Sequence, residues 1–268
     1  MRSTNPVLNI YKHRDLLYQF TRREIELRHK GSRLGHFWAL LTPLLMLGLY
    51  LFVFGVIFGG KFGVIKNENF FDFALALFLG ITLFQVLADT ISSSPVLIVN
   101  QPNFVKKVVF PLEIISISQV ISSLYFATLS TLICIILSPL SHGGLTAQSL
   151  LLPVIILPLA IISLGLSWLL SSLGVFIRDL NHTTSFIATA LMYSSAIVYS
   201  LARIPESIAK ILKYNPLVII IDQARDCILW QKSINCTDLY YTYSTASVIL
   251  LIGYYFFNRL RPYFAEVL

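Results

Sequence analysis

The sequence predicts an all-α membrane protein of six transmembrane helices, with an amphipathic interface helix ahead of the first and short re-entrant helices between the fifth and sixth. Three observations carry this. Of the 268 residues 56% are hydrophobic and 12% charged, with a mean hydropathy of +0.75, whereas a soluble domain carries about 25% charge. A chain of this size cannot hide so many apolar side chains from water. Six uncharged runs also reach the ~20 residues that a helix needs to cross a hydrocarbon core of about 30 Å. Finally, eight of the twenty Lys and Arg lie in residues 1–35, before the first run. The net charge of +7 and the pI near 9.3 therefore point to a membrane surface and not to nucleic acid.

Residues 1–36 form a cytoplasmic interface segment. At 100° per residue, Leu16, Leu17, Phe20, Leu27 and Leu34 fall within an arc of about 100°, and Lys12, Asp15, Arg22, Arg23, Glu26, Lys30 and Arg33 fall outside it, in a second arc of about 100°. Such a helix lies in the headgroup layer, its basic face toward anionic lipid, with Gly31 and Gly35 bending the chain into the first span. The first apolar run starts too late, and is too long, for a cleavable signal peptide.

Residues 37–268 make one transmembrane domain, with spans at about 37–59, 70–91, 113–138, 149–176, 185–201 and 241–258. An even number of spans puts both termini on one side, and thirteen of the twenty Lys and Arg then fall inside. N-in and C-in follows. Asp72, Asp89 and Glu113 read as boundary residues solvated by water and headgroups. The span centres carry no ionisable side chain, so the energy for uphill transport has to enter from outside the chain. An ATPase on the cytoplasmic side is the natural source.

Two inner loops offer a docking surface for it. Loop 92–112 places Lys106 and Lys107 beside apolar residues, and the turn at 177–184 holds Arg178, Asp179, Asn181 and His182, with Asp179 placed to cap a helix starting near Asn181. Region 202–240 contains Leu217–Ile221, apolar but too short to span, between Pro205, Pro216 and polar flanks. It predicts short helices dipping into the outer leaflet. Cys227 and Cys236 share that outer side and can bridge in an oxidising periplasm.

Catalytic chemistry is missing from the sequence. The run from Gly55 to Lys61 fits GxxxxGK, but Phe62 stands where a Mg²⁺-binding Ser or Thr belongs and no strand precedes it. The five histidines are scattered without ligand spacing, and three cysteines make neither a zinc site nor a disulfide framework. No metal or cofactor is expected in this chain. A membrane-embedded transferase would show paired acids or a His near one face, and a channel would show polar rings within its spans. Phe37, Trp38, Tyr240, Tyr241, Tyr243, Tyr254 and Tyr255 fit an aromatic belt at the span ends.

Four stretches together resemble the permease subunits of ABC-2 type polysaccharide exporters, the O-antigen, teichoic-acid and capsule group. They are 20–44 with its Arg22, Arg23, Glu24, Arg28, Lys30 and Pro43; 100–113; Ile177-Arg178-Asp179-Leu180; and Tyr214-Asn215-Pro216-Leu217 with Arg225. The resemblance runs from about residue 8 to 262, and the first stretch is most like the O-antigen and teichoic-acid permeases. It implies a homodimeric, non-enzymatic permease in the bacterial inner membrane. Two copies of a separate cytoplasmic ATPase would bind the ATP and Mg, and the solute would be a glycan on a polyprenyl diphosphate. It further implies a coupling helix matching Arg178, Asp179 and His182, and outer gate helices over 202–232, holding Pro205, Tyr214, Asn215, Pro216 and Arg225. A drug-exporting ABC-2 permease would share the architecture.

Overall fold

The computed structural model describes residues 11–28, 32, 34–57, 62, 68–106, 110–141, 147–199 and 204–268. Every regular element among them is helical. Helix α1 is Arg14–Leu27, and α2, Trp38–Tyr50, continues as a π-helical stretch over Leu51–Ile57. Then come α3, Phe70–Leu97; α4, Pro102–Lys106; α5, Glu113–Leu137; α6, Leu152–Gly174; and α7, Leu180–Ser194. The chain ends with α8, Glu206–Leu212; α9, Pro216–Arg225; α10, Cys236–Leu260; and α11, Phe264–Val267.

Four stretches of helix, Trp38–Ile57, Phe70–Leu97, Glu113–Leu140 and Ala147–Gly174, are long and apolar enough to cross a membrane. These are the first four expected spans with adjusted ends. The second does not stop at residue 91. It runs to Leu97 through Pro95, so the loop expected over 92–112 is shorter by a turn and a half. Helix α7 starts at Leu180 and has 15 residues, and α10 has 25 but opens on a polar run, Cys236 to Thr245.

Helix α3 is the centre of the bundle. Its side chains are buried almost all round, from Asp72 to Pro95, as expected for a helix surrounded by others and not by lipid. Asn69 and Asp72 close a reciprocal capping box at its start. Asp72 is thus fully buried and bonded to backbone, and not solvated at a boundary. Helices α3 and α5 flank α6 with small residues: Ser163, Ser167 and Ser171 recur every four residues and are fully buried. Ser167 accepts a hydrogen bond from Ser94 of α3 at 3.1 Å, and the Ser171 and Ser116 hydroxyls, the latter on α5, meet at 3.4 Å.

Backbones touch where two glycines allow it. A Cβ on Gly253 of α10 would lie 2.0 Å from the Gly165 carbonyl oxygen of α6, and one on Gly174 would lie 2.0 Å from the Pro95 carbonyl oxygen of α3. Between helices in lipid, where water expels nothing, this close packing is the main source of attraction.

Candidate functional site: the docking face and the gate segment

At one end of the bundle, aromatic side chains join four separate parts of the chain. Phe20 of α1 is buried, with ring centroids 5.4 Å from Phe104 of α4 and 5.5 Å from Phe110; Phe104 and Phe110 are 4.6 Å apart. Phe264 of α11 packs 5.8 Å from Phe257 and 6.2 Å from Phe176, in the same cluster. Arg261, just before it, pairs with the Glu113 carboxylate and donates to the Phe110 carbonyl at 3.3 Å. Glu113 is therefore an almost buried ion-pair partner, not a solvated boundary residue.

The face of α1 predicted to enter the headgroup layer is largely inside the protein. Leu16, Leu17 and Phe20 pack in this aromatic cluster, while Leu27 and Leu34 are exposed and Leu34 lies beyond the end of the helix. Arg22 pairs with Glu26 at 2.7 Å across one turn, and the Arg23 guanidinium sits 6.0 Å from the Phe20 ring centroid. Burial pushes the Glu24 carboxyl up from its ordinary range, against the opposing pull of Arg23 and Arg28. Arg28 turns inward to Asp89 of α3 at 2.6 Å, donates to Ser123 of α5 at 2.9 Å, and lies 4.7 Å from the Phe126 ring centroid. Gln85 donates to the other Asp89 oxygen at 2.6 Å. Lys30 and Gly31 lie outside the described residues.

Of the expected docking residues, Arg178, Asp179, Asn181, His182 and Lys106 are all exposed, and none of them is ion-paired among the described residues. Lys107 lies outside the described residues. Asp179 precedes α7, but its side chain makes no capping bond. Its carbonyl serves instead, accepting from His182 N at 3.1 Å and Thr183 N at 3.3 Å. The side chain is left free for solvent or a partner. Lys106 ends the short helix α4, which packs against α11.

At the other functional segment, Pro205 precedes α8 and its carbonyl accepts from Ile208 N and Ala209 N, both at 3.0 Å. Tyr214 is exposed, with its carbonyl accepting the Tyr241 hydroxyl at 2.8 Å. Asn215 caps α9 through Leu217 N at 3.0 Å and reaches Ser195 at 3.4 Å, and Pro216 fills the first helical position, where an N–H has no helical partner. Leu217, Val218, Ile220 and Ile221 are buried in protein. The residues 202 and 203 lie outside the description.

Arg225 is the anchor of this segment. Its side chain is 3% exposed and donates to the carbonyls of Ala76 at 3.0 Å, Ile197 at 2.7 Å and Ala196 at 3.3 Å, with Asp222 at 3.3 Å and the Phe62 ring 4.6 Å away. Room for it exists because residue 80 is glycine: a Cβ there would lie 2.5 Å from the Arg225 Nη2. Cys227 and Cys236 are both free; Cys227 is buried and directed at the Gln148 carbonyl, while Cys236 is exposed at the start of α10.

Helix α7 adds what hydropathy alone does not show. It packs on α3 through Thr184 and Ala188 and leaves Ser185, Thr189 and Tyr193 exposed in one row on its far face. Hydroxyls at a four-residue spacing are the signal that a search for charged residues passes over. No group of His, Cys, Asp and Glu among the described residues can hold a metal ion.

The ABC-2 type transporter profile matches residues 15–229. The chain is 30% identical over 257 residues to the O-antigen export system permease protein RfbA of Klebsiella pneumoniae, covering 95% of each chain. It is 26% identical over 263 residues to RfbA of Myxococcus xanthus, covering 97% of this chain and 98% of the relative. To the polysialic acid transport protein KpsM of Escherichia coli it is 25% identical over 234 residues, covering 86% and 88%. With four apolar membrane-length helices, an amphipathic helix before them and a family match over most of its length, the chain belongs to the ABC-2 type transporters.

Proposed function

We propose that this chain is the permease subunit of an ATP-driven exporter that moves a lipid-linked, O-antigen-like polysaccharide across the bacterial inner membrane. The observation that carries the reading is end-to-end similarity to O-antigen export permeases, over 95% of both chains. The likeness to KpsM supports a capsule-type polymer as the second reading, at lower identity.

In this reading α7 and α10 complete six spans with N-in, C-in topology. Two copies of the permease pair, and two copies of a cytoplasmic ATPase bind and hydrolyse ATP with Mg. The exposed Arg178, Asp179, Asn181 and His182, with Lys106 and Lys107, dock the ATPase, and its force enters a face already stiffened by the Phe20, Phe104, Phe110 and Phe264 packing. Helices α8 and α9 form the outer gate. Thr189 bonds back to the Ser185 carbonyl at 3.0 Å, but the exposed Ser185 and Tyr193 hydroxyls beside it suit a hydrated path for sugar. The polymer rides on a polyprenyl diphosphate, and this chain performs no covalent chemistry.

The test is reconstitution with candidate ATPases. ATP hydrolysis that rises with added lipid-linked glycan and needs the permease supports the reading. Stimulation by unrelated drugs but not by glycan refutes it.

A further inference from the structure

Two hollows meet at the Arg28–Asp89 pair, one lined by polar groups and the other chiefly by apolar ones. The first, about 460 Å³, lies between α1, α3 and α5, and its polar lining includes Glu24, Arg28, Asp89, Ser93, Gln119 and Ser122. The second, about 270 Å³, is a groove between α2, α3 and α5 lined chiefly by apolar groups, among them Met46, Tyr50, Phe78, Ile81, Val86 and Phe126. Arg28 and Asp89 line both. The first has room for a headgroup and the second for part of an acyl chain.

The charges select the headgroup. Among the described residues the polar hollow has two carboxylates, Glu24 and Asp89, and one cation, Arg28. Arg28 is already engaged by Asp89 at 2.6 Å, and Asp89 is further satisfied by Gln85. Glu24 has no hydrogen bond among the described residues, and its carboxyl is pushed up by burial, so a cation beside it would relieve a real penalty. Two further lining residues, Gln119 and Ser122, are more than nine-tenths buried, and Gln119 Oε1 and Ser122 Oγ have no partner. Both can accept a hydrogen bond. Gln119 already spends its Nε2 donor on Ser93 at 2.8 Å. The site thus has spare acceptors and one carboxyl, Glu24, beyond the Arg28–Asp89 pair, while Arg28 bonds Asp89 and Ser123 through Nη2 and keeps its other N–H groups for a single phosphate. A diphosphate with two or more negative charges would meet the wrong field.

We infer that this double hollow binds an aminophospholipid of the leaflet in which α1 lies, with the primary ammonium at Glu24, Gln119 and Ser122, the phosphate at Arg28, and one acyl chain in the groove toward Tyr50. The lipid fills the gap between the interface helix and spans α3 and α5. The assignment is independent of which polymer is exported.

The experiment is native mass spectrometry of the full-length permease, delipidated in detergent and titrated with phosphatidylethanolamine, phosphatidylcholine, phosphatidylglycerol or a polyprenyl diphosphate. A hydrogen bond to a charged group is worth about 1.5–3 kcal/mol, so phosphatidylethanolamine is expected to bind roughly tenfold or more tightly than the other three. Phosphatidylcholine is the sharp comparison, since its quaternary ammonium has no N–H. Glu24→Gln and Gln119→Leu, each checked for an unchanged unfolding midpoint, should erase the preference. Equal or tighter binding of phosphatidylglycerol or the polyprenyl diphosphate overturns the inference, as does a preference that survives Glu24→Gln.

Discussion

Replacing Arg225 by Ala is expected to release the gate segment from the bundle. The guanidinium is buried and donates to three carbonyls, of Ala76, Ala196 and Ile197. The three are not equal. Ala76 lies inside α3, where the helix ladder already occupies its carbonyl, so losing Arg225 there costs little. Ala196 and Ile197 follow the last turn of α7, and Ala196 holds a left-handed φ of 49° that L side chains disfavour. Leaving these two carbonyls unpaired costs about 1–3 kcal/mol each. Asp222 is half-exposed and loses little by it, so the total is about 2–6 kcal/mol, which lowers the unfolding midpoint of a chain this size by roughly 4–24 °C. Arg225→Lys should recover only part, because a compact ammonium cannot span carbonyls on two helices. The assay is thermal unfolding of the purified permease together with limited proteolysis over 204–215. An Ala variant with an unchanged midpoint and unchanged cleavage there would refute the reasoning.

Gly253→Val places a side chain on the Gly165 carbonyl, 2.0 Å from its Cβ, and should destabilise by about 1–3 kcal/mol or more, whereas Gly48→Ala, with no atom within 4 Å, should be neutral in the same unfolding assay. The double variant Arg178→Glu, Asp179→Arg alters two exposed side chains, so stability should stay within about 0.5 kcal/mol while co-purification of the ATPase falls; undiminished co-purification removes these residues from the docking surface. Glu24 has a raised carboxyl pKa in the docked helix, so its contribution to docking is full below the ordinary carboxylate range and is lost as pH rises through the folded value. A spin label at the exposed Tyr18 should therefore gain mobility as pH rises above the ordinary carboxylate range, and Glu24→Gln should flatten that response; a loss of mobility with rising pH would contradict it.

The spans were legible because length and hydropathy act locally. Residues 113–138 and 149–176 match helices whose backbone bonds close within the segment, and nothing distant decides them. The second span runs past its expected end at 91 and through Pro95. A proline usually ends a helix, yet here the neighbouring Gly174 lets α6 come against the Pro95 carbonyl and hold the last turn in place. The amphipathic arc of α1 was legible, but not its destination: an apolar stripe looks the same whether it meets lipid or Phe104 and Phe110. Arg225 was picked out by resemblance, and its function as a buried tie depends on contacts 149 and 28 residues away that no local pattern encodes. The same holds for Arg28 and Asp89, 61 residues apart.

These ties converge on α3, and their relative strengths rank the ways the bundle can move. Arg28 of α1 grips α3 at Asp89, and Arg225 of α9 grips it at Ala76 beside Gly80. Pulling α9 away from α3 together with the segment after α7, which packs on α3, strips the buried guanidinium of its carbonyl partners, at about 2–6 kcal/mol. The contact of α3 with α6 is more extensive but buries no charge: it is made of close packing between small side chains, the Pro95–Gly174 approach and one Ser94–Ser167 hydrogen bond at 3.1 Å, the bond itself worth about 1 kcal/mol. Shear across such smooth surfaces exchanges one set of small contacts for another. In an opening transition α3 and α9 are therefore expected to travel as one body, with the slip at α6. Spin labels placed on α3 and α9 should keep a constant separation between nucleotide-free and ATP-bound complexes while the α3 to α6 separation changes. A changing α3 to α9 distance with a fixed α3 to α6 distance would show that the Arg225 tie is the part that gives way.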